Sequence, residues 1–212
     1  SSFAAIWSLG KIMNASYAAL LTMYVIHLII LAIMGINPIR YVKKTLEVLI
    51  FAFTSRSSAG ALPLNVQTQT QRLGVPEGIA NFSASFGLSI GQNGCAGIYP
   101  AMLAIMVAPV AHVHIDLPFI LTLIGVVVIS SFGVAGVGGG ATFASILVLS
   151  TLNLPVALAG VLISIEPIID MGRTALNVND SMLAGTGTAR LTGNLDKEKF
   201  NSNHYGELST ES

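Results

Sequence analysis

Apolar residues fall in long runs separated by short polar punctuation. Ile12 to Met34 is a mostly apolar run of 23 residues, long enough to cross a bilayer with some tilt. A basic cluster follows at Arg40, Lys43 and Lys44, then a shorter apolar run from Thr45 to Phe53 that holds one acid, Glu47. That run is too short to span. It breaks into Thr54-Ser55-Arg56-Ser57-Ser58-Ala59-Gly60-Ala61-Leu62-Pro63, and Arg72 returns just before turn chemistry at Gly74-Val75-Pro76-Glu77. Basic flanks on both sides of an inadequate apolar run predict a re-entrant hairpin. Its non-helical tip is tolerated at depth only where protein or a watery cavity surrounds it.

Ile79 to Val110 is again long enough to cross, but Gly91-Gln92-Asn93-Gly94-Cys95 interrupts it. A loop with His112, His114 and Asp116 and no Lys or Arg comes next. Phe119 to Ser130 is apolar, Phe132 to Ala141 is glycine-rich, and apolar sequence resumes to Leu152 before the turn Asn153-Leu154-Pro155. This predicts a second hairpin. Val156 to Ala184 is the last predicted crossing. The expected units are a helix in 1–36, a hairpin in 37–74, a broken helix in 75–111, a second hairpin in 112–153, a last helix in 154–187 and a polar tail in 188–212. The fold class expected is an all-α, multi-pass membrane protein. Hairpin followed by an interrupted or polar helix occurs twice with opposite orientation, and such inverted repeats point to a binding site near the midplane.

Composition agrees. The 212 residues are 53% hydrophobic and 9% charged, with mean hydropathy +0.75; soluble domains carry roughly 25% charged residues. Zero net charge argues against a nucleic-acid partner. Cys95 is the single cysteine and has no internal disulfide partner. The start, Ser1-Ser2-Phe3, lacks a basic signal-peptide region and is expected to be an internal point of a longer protein. Arg40, Lys43, Lys44, Arg72, Arg190, Lys197 and Lys199 would share the cytoplasmic side, with Lys11 the exception. The tail beyond Leu191 is too polar to fold alone.

The candidate chemistry lies on the last helix. At about 100° per residue, Glu166, Asp170, Arg173, Thr174, Asn177 and Ser181 occupy roughly one third of its circumference. Each intramembrane charge costs about 2.5–3.5 kcal/mol on an insertion scale, so a cluster of them calls for a reason. Arg173 offers a planar fork for a carboxylate, and Asp170 suits an ammonium. Together they fit an amino-acid zwitterion; the competing reading is ion pairing that only holds helices together. The Ser55–Gly60 tip adds hydroxyls, backbone N–H groups and a second buried cation, Arg56. The 133–140 glycines suit a closing lid better than a phosphate loop, because no Lys-Ser/Thr follows them. Gly87-Leu88-Ser89-Ile90-Gly91 matches G-x-S-x-G, but a membrane helix is the wrong context for a hydrolase elbow. His27, His112, His114 and His204 are expected near membrane ends or in the tail. No enzyme activity and no metal site beyond a sodium ion is expected.

In order and content, these motifs resemble the dicarboxylate/amino acid:cation symporter family, which includes the glutamate transporters. The pieces that carry the resemblance are Ser55-Arg56-Ser57-Ser58, Gly91-Gln92-Asn93-Gly94-Cys95, Gly133–Gly140 and Asp170-Met171-Gly172-Arg173-Thr174-Ala175-Leu176-Asn177-Val178. Within the family, the tracts Phe51–Ser58, Ile90–Gly97 and Ala135–Ala144 resemble the bacterial branch that takes up L-cystine. Family members are about twice this long, so the chain resembles their C-terminal half. The resemblance implies elevator-type symport across a bacterial cell (inner) membrane, with the C-terminus cytoplasmic and a homotrimer formed through the N-terminal half.

It also implies residue roles. Asp170 would hold the substrate ammonium, Thr174 and Asn177 the substrate backbone, and Arg173 a distal carboxylate. Ser57, Ser58, Cys95, Val137 and Ala141 would complete the substrate site. Arg56, Gly136, Gly138, Gly139 and Gly140 would belong to the gates. The coupling cation has candidates in Ser89, Gly91, Asn93, Ser131, Phe132, Val134, Glu166, Asp180 and Ser181. Two departures matter here: Asn93 and Ser181 stand where sodium-coupled members carry a carboxylate. Carbonyl-built sodium sites at Ser89, Ser131, Phe132 and Val134 therefore compete with proton coupling through Glu166 or Asp180. The alternatives for the whole are a symporter of a dicarboxylate or another amino acid, or a channel-like or structural membrane subunit.

Overall fold

The computed structural model describes residues 2–134 and 139–203, and every described element is helical. Helix α1 runs Ser2–Ile33 and α2 Pro38–Ser55. After the tip 56–61, α3 (Leu62–Gln67) widens into a π-helical stretch, Thr68–Arg72. Helix α4 (Glu77–Gly87) ends at the break, and a second π-helical stretch, Asn93–Ile98, leads into α5 (Tyr99–Val107). Helices α6 (Leu117–Ser131) and α7 (Gly140–Thr151) flank the glycine-rich tip. Helix α8 (Ala157–Leu162) precedes α9 (Glu166–Leu191), and α10 (Lys197–Asn201) lies in the tail.

Local chemistry sets the boundaries. Asn37 caps α2 by accepting the Arg40 N–H at 3.1 Å, with Pro38 in the first helical position. Asp116 caps α6 in the same way through Phe119 N–H at 2.9 Å. Helix α2 ends with Arg56 in the left-handed region, φ 55°, its N–H donating to the Ala52 carbonyl. Gly139, φ 85°, caps the start of α7, where an L side chain would be strained.

One expectation needs correction. The stretch 154–187 is not one helix: residues 163–165 separate α8 from α9, and Pro167, in the first turn of α9, lacks the N–H that a continuous helix would donate to the Ile163 carbonyl. Glu166 therefore sits at a helix start rather than mid-helix. The tail is also not free. Leu195 and Phe200 are buried, Asp196 N–H donates to the Gly74 carbonyl at 2.9 Å, and Lys44 Nζ donates to the carbonyls of Arg72 (2.9 Å) and Lys199 (2.8 Å). Arg40 donates to the Asn201 carbonyl. The polar tail does not fold by itself; it uses two apolar anchors and donors lent by α2.

Helix α9 is the axis of the fold, and α1, α2, α4 and the Asn93–Ile98 turn pack directly against it. One apolar cluster joins α1, α2, α4, the lower half of α9 and the tail through Leu31, Tyr41, Val48, Leu73, Met182 and Phe200. The other joins α5, α6, α7 and α8 through Leu103, Leu123, Leu149, Leu162 and Ile169. The outside is apolar as well. Leu21, Val25, Ile29 and Ile33 on α1, Leu121, Ile124 and Val128 on α6, and Phe143 and Ile146 on α7 are exposed. Apolar surface on this scale marks a face that meets lipid or more protein. Among the described residues, one helix, Ile6–Ile33, is long and apolar enough to cross a membrane; Asn93–Val107, Leu117–Ser131 and Gly140–Thr151 are shorter apolar helices.

Candidate functional site

The polar stripe of α9 is buried where it faces the break between α4 and α5. Arg173 is 1% exposed and Asp170 6%, with Thr174 and Asn177 also buried. Gly94 makes this approach possible: a Cβ on it would lie 3.0 Å from both Cα and the carbonyl oxygen of Arg173. Its N–H donates to Asn177 Oδ1 at 2.7 Å, while Asn177 Nδ2 donates to Gln92 Oε1 (2.9 Å) and Cys95 Sγ (3.1 Å). Asn177 thus satisfies the backbone that the break exposes.

Arg173 Nη2 donates to Glu166 Oε1 and Asp170 Oδ1, both at 3.2 Å. Its guanidinium lies over the Tyr99 ring, 4.3 Å from the centroid. Nε and Nη1 are buried and have no hydrogen-bond partner among the described residues. A buried, unsatisfied guanidinium is costly, so this one is suited to receive an anion. Arg56 Nε reaches Asp170 Oδ2 at 3.1 Å from the tip that follows α2. From the other side, Thr142 in the first turn of α7 donates to Glu166 Oε2 at 2.5 Å. A line of charges and hydroxyls, Arg56–Asp170–Arg173–Glu166–Thr142, therefore connects the two tip regions through the start of α9.

These contacts sort the sequence-based candidates. Asp170, Arg173, Thr174, Asn177, Cys95, Glu166 and Arg56 come together. Arg56 is not a buried cation as expected: its side chain is 39% exposed, because a left-handed cap at a helix end leaves it on the rim. Ser58 is buried in the same tip, and Ser57 Oγ accepts the Gly60 N–H at 2.9 Å. Ala141 is buried at the start of α7, with Gly139 and Gly140 before it. Gly136, Val137 and Gly138 lie outside the described residues.

Ser181 leaves the substrate cluster for a second network. It accepts from Asn65 Nδ2 at 2.7 Å, and Asn65 Oδ1 accepts from Gln69 at 2.8 Å. Asp180 lies beside Asn93 and pairs with His27 Nε2 at 2.9 Å; His27 Nδ1 meets Asn179 Nδ2, and Asn179 accepts from Tyr41. His27 is 4% exposed inside the bundle, because α1 packs along α9 there. Ser89 and Phe132 are exposed, Ser131 Oγ donates back to the Val128 carbonyl, and Val134 and Gly91 line the ends of their breaks.

The comparisons follow from this geometry. The model of the sodium:dicarboxylate symporter family matches residues 1–191. The chain belongs to that family. Membership places it in a membrane transport family. Among similar curated proteins, the L-cystine uptake protein TcyP of Shouchella clausii is 69% identical over 201 residues, 94% of this chain and 43% of the relative. The protein of that name from Bacillus licheniformis is 65% identical over the same shares, and that of Bacillus thuringiensis strain Al Hakam 62% identical over 95% of this chain and 44% of the relative. The chain spans less than half the length of these relatives.

Sequence reasoning missed Gln92, Tyr99, Thr142, His27, Asn179 and Asn65 as partners of the candidate residues. Gln92 sits inside the recognised break and was within reach. Asn179 lies on α9 itself but off its stripe, and the rest come from elements whose polar residues show no stripe of their own, so periodicity gave no signal.

Proposed function

We propose that this chain is the substrate-carrying part of a secondary active symporter that takes up L-cystine across a bacterial cytoplasmic membrane. The observation that carries the reading is Arg173, buried yet with two guanidinium nitrogens unpartnered among the described residues, next to Asp170. L-cystine supplies an ammonium for Asp170 and a carboxylate at its far end for Arg173, and Thr174 and Asn177 flank the near end. The names of the similar proteins support this substrate. In this reading the tips after α2 and after α6 belong to two re-entrant hairpins, with Ser57, Ser58 and the 137–141 backbone closing on the solute. The α9 axis and its hairpins move as an elevator against the N-terminal half, which also forms the trimer. The C-terminus is cytoplasmic.

The coupling cation is sodium in this proposal. The family description supports it, and both carboxylate oxygens of Glu166 are already engaged, by Arg173 and by Thr142. Carbonyls at Ser89, Gly91, Ser131, Phe132 and Val134, with Asn93, are the oxygen ligands suited to such an ion. One observation favours a proton instead: His27 and Asp180 form a buried acid–base pair beside Asn93. Counterflow of labelled L-cystine into proteoliposomes, using the chain with the N-terminal half its relatives carry, tests the reading. Saturable, sodium-dependent exchange is expected, and its absence at saturating cystine rejects the substrate assignment.

A further inference from the structure

Thr142 behaves unlike five other helical threonines of this molecule. The hydroxyls of Thr22, Thr45, Thr122, Thr151 and Thr186 all donate to the carbonyl four residues earlier. Such bonds satisfy the hydroxyl locally and carry no message to another element. Thr142 is the third residue of α7, where no helical carbonyl lies one turn back. Its hydroxyl donates across to Glu166 Oε2 at 2.5 Å, 24 positions away in sequence.

Glu166 in turn is held at both oxygens. Oε2 takes the Thr142 hydroxyl and Oε1 takes Arg173 Nη2. Asp170 Oδ1 binds the same Nη2, and its Oδ2 is taken by Arg56. Two carboxylates thus converge on one guanidinium nitrogen, leaving Nε and Nη1 buried and unpartnered among the described residues. Asp170 has its second oxygen pinned by a cation. Glu166 has only the Thr142 hydroxyl to pin its own.

We propose that Thr142 is a positioning residue for the substrate site. By anchoring Glu166, it fixes the orientation in which Arg173 meets the substrate carboxylate and ties the start of α7 to the start of α9. Without the hydroxyl, Glu166 is free to rotate away, since its side chain is already 12% exposed. Arg173 then loses one of its two fixed acceptors, and α7 loses its polar link to the site. The affinity part of this inference rests on the L-cystine reading above; the link between α7 and α9 does not.

The test uses the chain together with the N-terminal half its relatives carry. Thr142→Val removes the hydroxyl at nearly constant volume, Thr142→Ala is a second deletion with less risk of crowding, and Thr142→Ser keeps the donor. Amide hydrogen exchange of residues 140–146 is measured in substrate-free protein, and L-cystine affinity by counterflow. Exchange at least threefold faster and affinity roughly tenfold weaker are expected in both deletion variants, with Thr142→Ser near wild type. Glu166→Gln should accelerate exchange similarly, and adding Thr142→Val to it should change little, because the two act as one unit. Wild-type exchange in the deletion variants, unchanged affinity alongside faster exchange, failure of serine to rescue, or additive effects with Glu166→Gln would each overturn the proposal. If wild-type protein shows no saturable cystine exchange, the substrate reading fails, and the exchange data alone then decide the α7–α9 link.

Discussion

At the scale of the residue, Arg173 is the side chain on which the proposed recognition turns. It is the most buried charge of the cluster, stacks on Tyr99 and shares Nη2 between two acids. Hydrogen bonds to charged groups contribute about 1.5–3 kcal/mol each. Arg173→Lys retains the charge but not the planar fork, so L-cystine affinity is expected to fall roughly 10- to 100-fold in counterflow assays. Unchanged affinity would remove Arg173 from the substrate site. The sequence disclosed which residue types share the α9 face, because helical periodicity is a property of one segment. It did not disclose their partners. Thr142 and Tyr99 meet the stripe only through side-chain contacts between segments distant in sequence, and nothing in their own segments marks them as facing a site; Gln92 was visible in the break, but its partner was not. Arg56 shows the reverse case: its membership of the site was readable from the tip motif, while its exposure depends on a left-handed cap that the motif does not encode.

At the scale of the element, the broken helix is held against α9 by the absence of a side chain. Gly94→Ala would place a methyl 3.0 Å from backbone atoms of Arg173, which cannot swing aside as a side-chain end would. Overpacking of this kind costs about 1–3 kcal/mol, so a lower melting temperature in detergent is expected along with weakened cystine exchange. Wild-type melting would mean that α9 and the break separate easily. The tail gives a second expectation. Lys44→Met withdraws the donor from the carbonyls of Arg72 and Lys199, and cleavage by a soluble protease between residues 191 and 203 should become faster. The breaks at Gly91–Cys95 and at the two tips were legible because glycine, serine and amide residues interrupt apolar runs. The division of the last helix was missed although Pro167 is in plain view; the apolar run continues through it and dominated the reading. Docking of the tail was missed because only Leu195 and Phe200 anchor it, too few to register as a pattern.

At the scale of the whole molecule, the question is what charge the loaded site carries. Arg56 and Arg173 face Asp170 and Glu166, two cations against two carboxylates in one connected line. L-cystine is a double zwitterion with no net charge near neutral pH, so loading it leaves the sum unchanged. Any coupling cation then adds uncompensated charge to the moving unit, whether sodium sits on carbonyls near Asn93 or a proton resides on the His27–Asp180 pair. Uptake into proteoliposomes is therefore expected to be electrogenic, and an inside-negative diffusion potential should accelerate it with either ion. The ion itself is separated by imposing one gradient at a time. With sodium coupling, an inward sodium gradient drives accumulation at equal pH on both sides, and an imposed pH gradient without sodium does not. Asp180→Asn should then leave the sodium dependence in place, because the carbonyl ligands survive the substitution. Accumulation driven by the pH gradient alone, and abolished in Asp180→Asn, would overturn sodium coupling and assign the ion to the buried pair. Uptake indifferent to the potential would mean that the loaded unit moves with no more charge than the empty one, and would overturn this accounting of the site.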